Sequence, residues 1–382
     1  MYQIATLNKI SKVGLAQLTE DYCLTEDITQ ANGILVRSAD MHEMEFSDNL
    51  LAIARAGAGV NNIPLERCAE SGIVVFNTPG ANANAVKELT IAGLLLAARN
   101  IPSALTWAAG LTEDVSKAVE KGKSQFAGSE ITGKTLGVVG LGAIGRKVAA
   151  AADALGMKVL GYDPYFDGEA DFAVYTDLKV MLPACDYVTI HVPANDATKG
   201  MFNAELFAAM KDGAVLLNFS RDKLVKDADL LAAMETGKIS QYVTDFPNDA
   251  LVGKAGVVLL PHLGASTEEA EDNCAVMAVN EIRDYLENGN IINSVNFPKV
   301  DMGPLGDRTR IAFMTCDIEN PVQAVAEFLS SANIFVTKIA GGNKKGFGYV
   351  LAETDASAEA AEAVLELEME GIISVHILAP EQ

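Results

Sequence analysis

The stretch GVVGLGAIGRKV, residues 137–148, constrains this chain more than any other. Gly140, Gly142 and Gly145 stand in GxGxxG spacing, directly after an apolar, strand-like run and directly before RKVAAAADALG, a good helix-forming sequence. Glycines so placed permit a tight turn and let a pyrophosphate approach the backbone, where it rests on the unpaired amides and positive dipole end of the helix. The pattern alone is weak. It gains force from Asp163, which follows the next strand, KVLGYD, eighteen residues beyond Gly145. An acid there can hold both ribose hydroxyls of NAD and repel the extra phosphate of NADP.

The same region carries the strongest alternation in the chain. TLGVVGLG, KVLGYDP, YVTIHVP, AVLLNFS, QYVTDF and GVVLLPH read as successive buried strands with helices between them, the pattern of a parallel sheet. A weaker alternation runs from Ile4 to about Thr78, and NAVKELTIAGLLLAARNI reads as a long connecting helix that ends before Pro102. Beyond His262, a helix ends at Gly289 and NFPKVDMGPLGD forms a linker rich in proline and glycine. From Thr309 to Leu378 the order is strand, helix, strand, strand, helix (SAEAAEAVLELEME, residues 357–370), strand, which predicts a ferredoxin-like βαββαβ domain.

Composition bounds the function. With 382 residues, 49% apolar and 21% charged, the chain is long enough for two or three cores and reads as soluble and globular. A net charge of −22 argues against nucleic acid or an anionic membrane as partner, since both need basic patches. The five cysteines, Cys23, Cys68, Cys185, Cys274 and Cys316, are scattered without CxxC spacing, so neither a disulfide framework nor a metal site is expected. MYQIATLNKI lacks the basic start and apolar run of a signal peptide, and LTIAGLLLAA is too short to span a bilayer; a cytoplasmic protein is expected.

Oxidation of an alcohol beside a nicotinamide needs a base for the hydroxyl proton and a cation for a carboxylate and the developing carbonyl. Arg221 directly follows AVLLNFS and His262 directly follows GVVLLP, so both are expected at carboxyl ends of strands in the cofactor sheet.

Seven ordered stretches, GKTLGVVGLGAIGRKV, GMKVLGYDP, NFSR, PHLGAST, ILVRS, RAGAGVNNI and NTPGANANAVKELT, cover about residues 34–298 and resemble the D-isomer-specific 2-hydroxyacid dehydrogenases. The C-terminal segment resembles an ACT domain, a regulatory module that several members carry. The resemblance implies an α/β protein with two Rossmann-like or flavodoxin-like lobes of doubly wound parallel sheet, plus the ferredoxin-like unit. It implies a substrate-binding domain at residues 1–96 and 284–301, an NAD-binding domain at 97–283 and an ACT-like domain at 302–382. Arg221 then clamps the substrate carboxylate and polarises the C2 oxygen, while His262 takes the hydroxyl proton. Gly57 and Gly59 receive the carboxylate on backbone amides, and Arg37 lines the site near a phosphate. Ala143 and Ile144 supply pyrophosphate amides, Asp163 holds the ribose, and Asp245 lies by the nicotinamide carboxamide. Ala58, Val192, Pro193, Phe219, Ser220, Gly264 and Ala265 complete the cofactor set. The implied reaction is NAD-dependent oxidation of a phosphorylated 2-hydroxy acid, D-3-phosphoglycerate, to 3-phosphohydroxypyruvate, the first step of serine synthesis. The alternatives are another D-2-hydroxy acid as substrate, or an NAD- or amino-acid-sensing regulator on the same scaffold. A homodimer or homotetramer is expected, from the family and from the exposed character of IPSALTWAAGL around Trp107.

Three departures from the family pattern stand out. A glutamate five positions after Asp245 normally orients the histidine; TDFPND instead offers Asp249 four positions on, which is either the histidine's partner or a solvated loop acid. Lys87 stands in NAVKELT where a small residue is usual, and either adds positive charge to the substrate site or is an exposed helix lysine. Asp317 and Glu319 in DIENPV replace the histidine and asparagine of serine-binding members, although Asn333 matches a third position, so serine feedback through this surface is not expected.

Overall fold

In the computed structural model, which describes residues 1–367 and 369–380, the chain builds three separate sheets. Glu368, inside the helix expected over 357–370, and Glu381 and Gln382, at the end of the expected C-terminal domain, lie outside the described residues. The first sheet contains β1 (Tyr2–Thr6), β2 (Tyr22–Thr25), β3 (Gly33–Val36), β4 (Ala52–Arg55) and β5 (Val74–Asn77). All are parallel, in the order β2-β1-β3-β4-β5, which is the flavodoxin-like arrangement. Ile34, Leu35 and Val36 are all buried, as a strand covered on both faces requires.

The second sheet contains β6 (Thr135–Val139), β7 (Lys158–Tyr162), β8 (Ala173–Tyr175), β9 (Tyr187–Ile190), β10 (Ala214–Asn218), β11 (Ile239–Thr244) and β12 (Val257–Leu259). Its order, β12-β11-β10-β9-β6-β7-β8, is the Rossmann order with one further strand. The strand order reverses between β6 and β9, which are neighbours paired in parallel. Ligands of such sheets bind beyond the carboxyl ends of the strands at this reversal.

The third sheet is antiparallel and contains β13 (Thr309–Cys316), β14 (Val336–Lys344), β15 (Phe347–Thr354) and β16 (Ile372–Leu378), in the order β14-β15-β13-β16. With the helices Pro321–Ser331 and Ala358–Glu362 this is the expected ferredoxin-like topology. The last helix is shorter than 357–370: it becomes a 3-10 turn at Ala363–Glu366, and Gly371, at φ +85°, turns the chain back into β16.

The chain divides into two compact units, Met1–Asn82 with Glu271–Gln382, and Ala83–Ala270. The divisions fall at the beginnings of the helices Ala83–Ala98 and Glu268–Asn288, whereas residues 96 and 283 lie inside those helices. The C-terminal sheet belongs to the first unit and shares its core: Phe76, Ile282 and Tyr285 lie in one apolar cluster with Met314, Tyr349 and Leu351. Arg310 is fully buried in this unit and donates to the carbonyls of Asn288 (2.6 Å) and Gly303 (3.0 Å) while pairing with Glu353 (2.5 Å). The hydroxyl of Tyr349 donates to the carbonyl of Gly289 at 2.7 Å.

The helix Ile101–Ala109 buries none of its residues fully, and Leu105 is exposed. Among the described residues no single helix is long and apolar enough to cross a membrane.

Candidate functional site

In the second unit the glycine loop sits where the sheet reverses. Gly140 ends β6 with φ +95°, and a Cβ there would meet the carbonyl of His191, just past β9, at 2.5 Å. A Cβ on Gly145 would collide with the carbonyl oxygen of Gly140, so the helix Ala143–Ala154 starts hard against the turn. Gly142 caps that helix without a side-chain hydrogen bond, and the space where its side chain would stand is open. Exposed Ala143 and half-buried Ile144 follow it, so uncapped amides face free space, as a bound pyrophosphate requires.

Asp163 closes β7. Its Oδ2 accepts from the amide of Leu141 at 3.0 Å and its Oδ1 from that of Tyr165 at 3.0 Å. The acid therefore braces the glycine loop, and each oxygen keeps a lone pair for a ribose hydroxyl. Val192 packs beside Gly140, and exposed Pro193 passes its carbonyl to the Thr198 hydroxyl. His191 escaped the sequence reading although TIHVP places it at a strand end of the same sheet. Its Nδ1 is buried without a partner, and burial pushes its imidazole down to about 3, so it is neutral.

NFSR follows from the local fold. The side chain of buried Asn218 accepts from the Ser220 amide (3.1 Å) and donates to the Arg221 carbonyl (2.9 Å) and the Tyr242 hydroxyl (3.2 Å). Phe219 is buried against Gly93, and the Ser220 hydroxyl donates to the Ile190 carbonyl at 2.7 Å. With those three turned inward, Arg221 is left to project. Its guanidinium donates to the Ser220 carbonyl at 2.6 Å and forms no ion pair among the described residues, so it can still receive a carboxylate.

Two edges meet around Asp245. The amide of Leu260 donates to the Thr244 carbonyl at 2.9 Å, and that of buried Gly264 donates to Asp245 Oδ2 at 2.9 Å, which ties the PHLGA loop to the end of β11. Ala265 is half-buried beside it. Asp245 is 1% exposed and its Oδ1 has no partner, a buried acceptor suited to a carboxamide N–H. Burial raises its carboxyl above the ordinary range, opposed by the Gly264 amide and then by the charge of His262. The His262 side chain is exposed and lies on the ring of Phe246, centroids 4.7 Å apart. Asp249 is exposed and makes no hydrogen bond or ion pair with His262. Lys87, on the helix Ala83–Ala98, stands 3.5 Å from Glu88.

The first unit carries its own candidate loops. The amides of Arg37, Ser38 and Ala39 all donate to Asn8 Oδ1, and the guanidinium of Arg37 pairs with Glu271 at 2.7 Å. Gly57 packs directly on the guanidinium of Arg55, whose Nε donates to the Arg37 carbonyl at 3.0 Å. The Ala58 carbonyl accepts from Asn77 at 2.6 Å, pinning the loop through Gly59 to β5. Arg55 also escaped the sequence reading, although it begins RAGAG. On the C-terminal sheet, Asp317 (φ +57°) and Asn333 (φ +58°) occupy left-handed turns, and the Asp317 amide donates to the Gly346 carbonyl at 2.9 Å.

A Rossmann sheet, an open glycine turn, an acid just beyond β7, and an arginine without an ion pair among the described residues beside a histidine on the same carboxyl edge are the parts a nicotinamide-dependent site needs. Residues 91–264 match the D-isomer specific 2-hydroxyacid dehydrogenase, NAD binding domain, and the chain carries the NAD-binding domain of that family. The chain is 35% identical over 331 residues to D-3-phosphoglycerate dehydrogenase of Methanocaldococcus jannaschii, covering 82% of this chain and 62% of that one. It is 35% identical over 308 residues to the Rattus norvegicus enzyme of the same name, covering 75% and 56%. The chain thus spans about three fifths of the length of the curated relatives it matches. Among solved structures it is similar to an NADPH-dependent glyoxylate/hydroxypyruvate reductase of Sinorhizobium meliloti (TM-score 0.68, 25% identity, 77% of this chain and 98% of that). It is also similar to the NAD+-bound 3-phosphoglycerate dehydrogenase of Entamoeba histolytica (TM-score 0.63, 25% identity, 77% and 98%).

Proposed function

We propose that this chain oxidises D-3-phosphoglycerate to 3-phosphohydroxypyruvate with NAD. One observation carries the reading: Arg221 and His262, which among the described residues have no carboxylate ion-paired or hydrogen-bonded to them, follow two strands of the NAD-binding sheet on the edge that also holds the glycine turn. Bound at that turn, NAD supplies the hydride acceptor. Arg221 grips the substrate carboxylate with its planar fork and stabilises charge on the C2 oxygen as the carbonyl forms. His262 takes the hydroxyl proton as the hydride leaves C2, and returns it to water afterwards. Asp163 holds the ribose and disfavours a 2′-phosphate, which supports NAD over NADP. Gly57, Gly59, Arg37 and Lys87 are proposed as substrate ligands, and Ala58, Val192, Pro193, Phe219, Ser220, Gly264 and Ala265 as cofactor neighbours. We also read the C-terminal βαββαβ unit as ACT-like and the protein as a homo-oligomer.

Steady-state formation of NADH tests the reading with D-3-phosphoglycerate beside D-lactate, D-glycerate and D-2-hydroxyglutarate. Highest kcat/KM with the phosphorylated acid is expected. Preference for an unphosphorylated acid would make the chain a different dehydrogenase of the family. A second reading, an NAD-sensing regulator, draws on the absence of a carboxylate hydrogen-bonded to His262 among the described residues. Tight NADH binding without oxidation of any acid would favour it.

A further inference from the structure

We propose that the cavity at the amino edge of the second sheet is a binding site for a small carboxylate of one negative charge, held by Lys134 and the hydroxyl of Tyr187. None of the groups given above to substrate or cofactor takes part.

The cavity has a volume of about 240 Å³ and opens where β6, β9, β10 and β11 begin. At about 3.3 Å per residue those strands place it roughly 13–20 Å from the carboxyl edge that carries the glycine turn. The space equals that of about eight waters, enough for a small metabolite and too little for a nucleotide. Its walls are the end of the helix Ala83–Ala98, the loop 127–129 and the strand starts. Bonds within the protein fix them. Gln241 Nε2 donates to the Ala97 carbonyl at 3.1 Å and to Asn100 Oδ1 at 3.0 Å, and the Ser129 amide donates to the Ala98 carbonyl at 2.8 Å.

Most charges around the cavity are spent on one another. Lys211 pairs with Asp186 at 2.5 Å, and the other Asp186 oxygen accepts from the Thr135 amide at 2.9 Å. Lys238 pairs with Asp212 at 2.8 Å. Lys134 is left over: it lines the rim, and its ammonium forms no hydrogen bond or ion pair among the described residues.

Tyr187 supplies the second group. It is 6% exposed and shares an apolar cluster with Ala97, Ala98 and Val215, which line the same cavity, so its ring lies on the cavity's face of the sheet. Its hydroxyl has no hydrogen-bond partner among the described residues. Burial, and then the charge of Asp186, raises that hydroxyl above its ordinary range, so it keeps its proton and can donate. A donor so enclosed costs stability until an acceptor meets it. One uncommitted cation and one uncommitted donor suit the two oxygens of a carboxylate, while Asp186 and Asp212 repel a second negative charge.

Titration calorimetry with acetate, glycolate, benzoate and inorganic phosphate tests the site. The full chain is titrated both as it stands and carrying Arg221→Ala, which withdraws the proposed substrate clamp. Saturable binding of at least one carboxylate that survives Arg221→Ala is expected. Lys134→Met changes an exposed side chain and Tyr187→Phe removes one oxygen from a buried ring; each should weaken that binding about tenfold, the worth of a hydrogen bond to a charged group. Binding that is lost in Arg221→Ala puts the anion at the dehydrogenase site and overturns the proposal. So does the absence of saturable carboxylate binding, or an affinity unmoved by either Lys134→Met or Tyr187→Phe. Tighter binding of phosphate than of every carboxylate refutes the ligand class. Should Tyr187→Phe not fold, Lys134→Glu reverses the charge at the rim and should abolish binding; affinity retained there contradicts the assignment.

Discussion

Arg221 is presented by a loop whose three preceding side chains all point into the sheet, and that arrangement gives its guanidinium a fixed place. Arg221→Lys keeps the charge and loses the planar fork, so kcat should fall by about 100-fold, as when one preorganised donor is removed; near-normal steady-state rates would remove Arg221 from the role. Asp163 braces the Leu141 amide and is the residue proposed to hold the ribose. Asp163→Ala should lower the ratio of kcat/KM for NAD over NADP by about tenfold, since both the ribose bonds and the repulsion of the extra phosphate go; an unchanged ratio would place cofactor choice elsewhere. At this scale the sequence was legible in placing Arg221 and His262 just beyond strands of the second sheet, whose ends fall at Asn218 and Leu259. Asp249 was not, because the turn set by Asn248 decides where it faces, and four residues of spacing carry no such information. Arg55 and His191 were equally visible at strand ends but lacked a role to attract attention.

The turn from β6 into the helix Ala143–Ala154 is the element on which the proposed cofactor binding rests. A methyl group on Gly145 would press on the carbonyl of Gly140. Gly145→Ala should therefore cost about 1–3 kcal/mol of stability, as overpacking does, and weaken NADH binding; a fluorescence titration and a melting curve identical to those of the parent would contradict the geometry. The helix Glu268–Asn288 hides a different strain. Glu281 is 7% exposed, accepts from Asn293, and has an unpartnered Oε2. Burial pushes its carboxyl up from 4.5 to about 8. The folded chain therefore keeps a proton that the unfolded chain releases, and stability is full below about pH 4.5 and declines as the pH rises to about 8. Glu281→Gln retains an acceptor for Asn293 without the titration, so its melting temperature should fall less between pH 5 and pH 8 than the parent's; parallel falls would show that Glu281 does not cause the slope. Elements were the most legible scale, since short apolar runs bounded by turn residues read as buried parallel strands while the longer LTIAGLLLAA reads as a helix. The last helix was the exception: its alanine- and glutamate-rich sequence favours a longer helix, and the return into β16 overrides that propensity.

For the whole chain, the proline- and glycine-rich segment 296–307 suggested a C-terminal domain hung on a linker, while the structure places that sheet in the first compact unit. Long-range contacts decide this: Arg310 seals the end of the helix Glu268–Asn288, Tyr349 binds the Gly289 carbonyl, and Lys344 donates to the Ser294 carbonyl at 2.9 Å. None has a local sequence signal. A chain ending at residue 301 would expose the shared cluster around Tyr285, so it should melt well below the full chain or fail to fold; an unchanged melting temperature of the remainder would show a separable module. The proposed reaction moves a hydride from C2 of a phosphorylated 2-hydroxy acid to NAD. Reaction of the purified chain with NAD+ and D-3-phosphoglycerate deuterated at C2, followed by mass analysis of the reduced cofactor, tests it most directly. One deuterium in each NADH formed, with 3-phosphohydroxypyruvate in equal amount, is expected. Reduced cofactor without deuterium, or none formed with this acid, would contradict it.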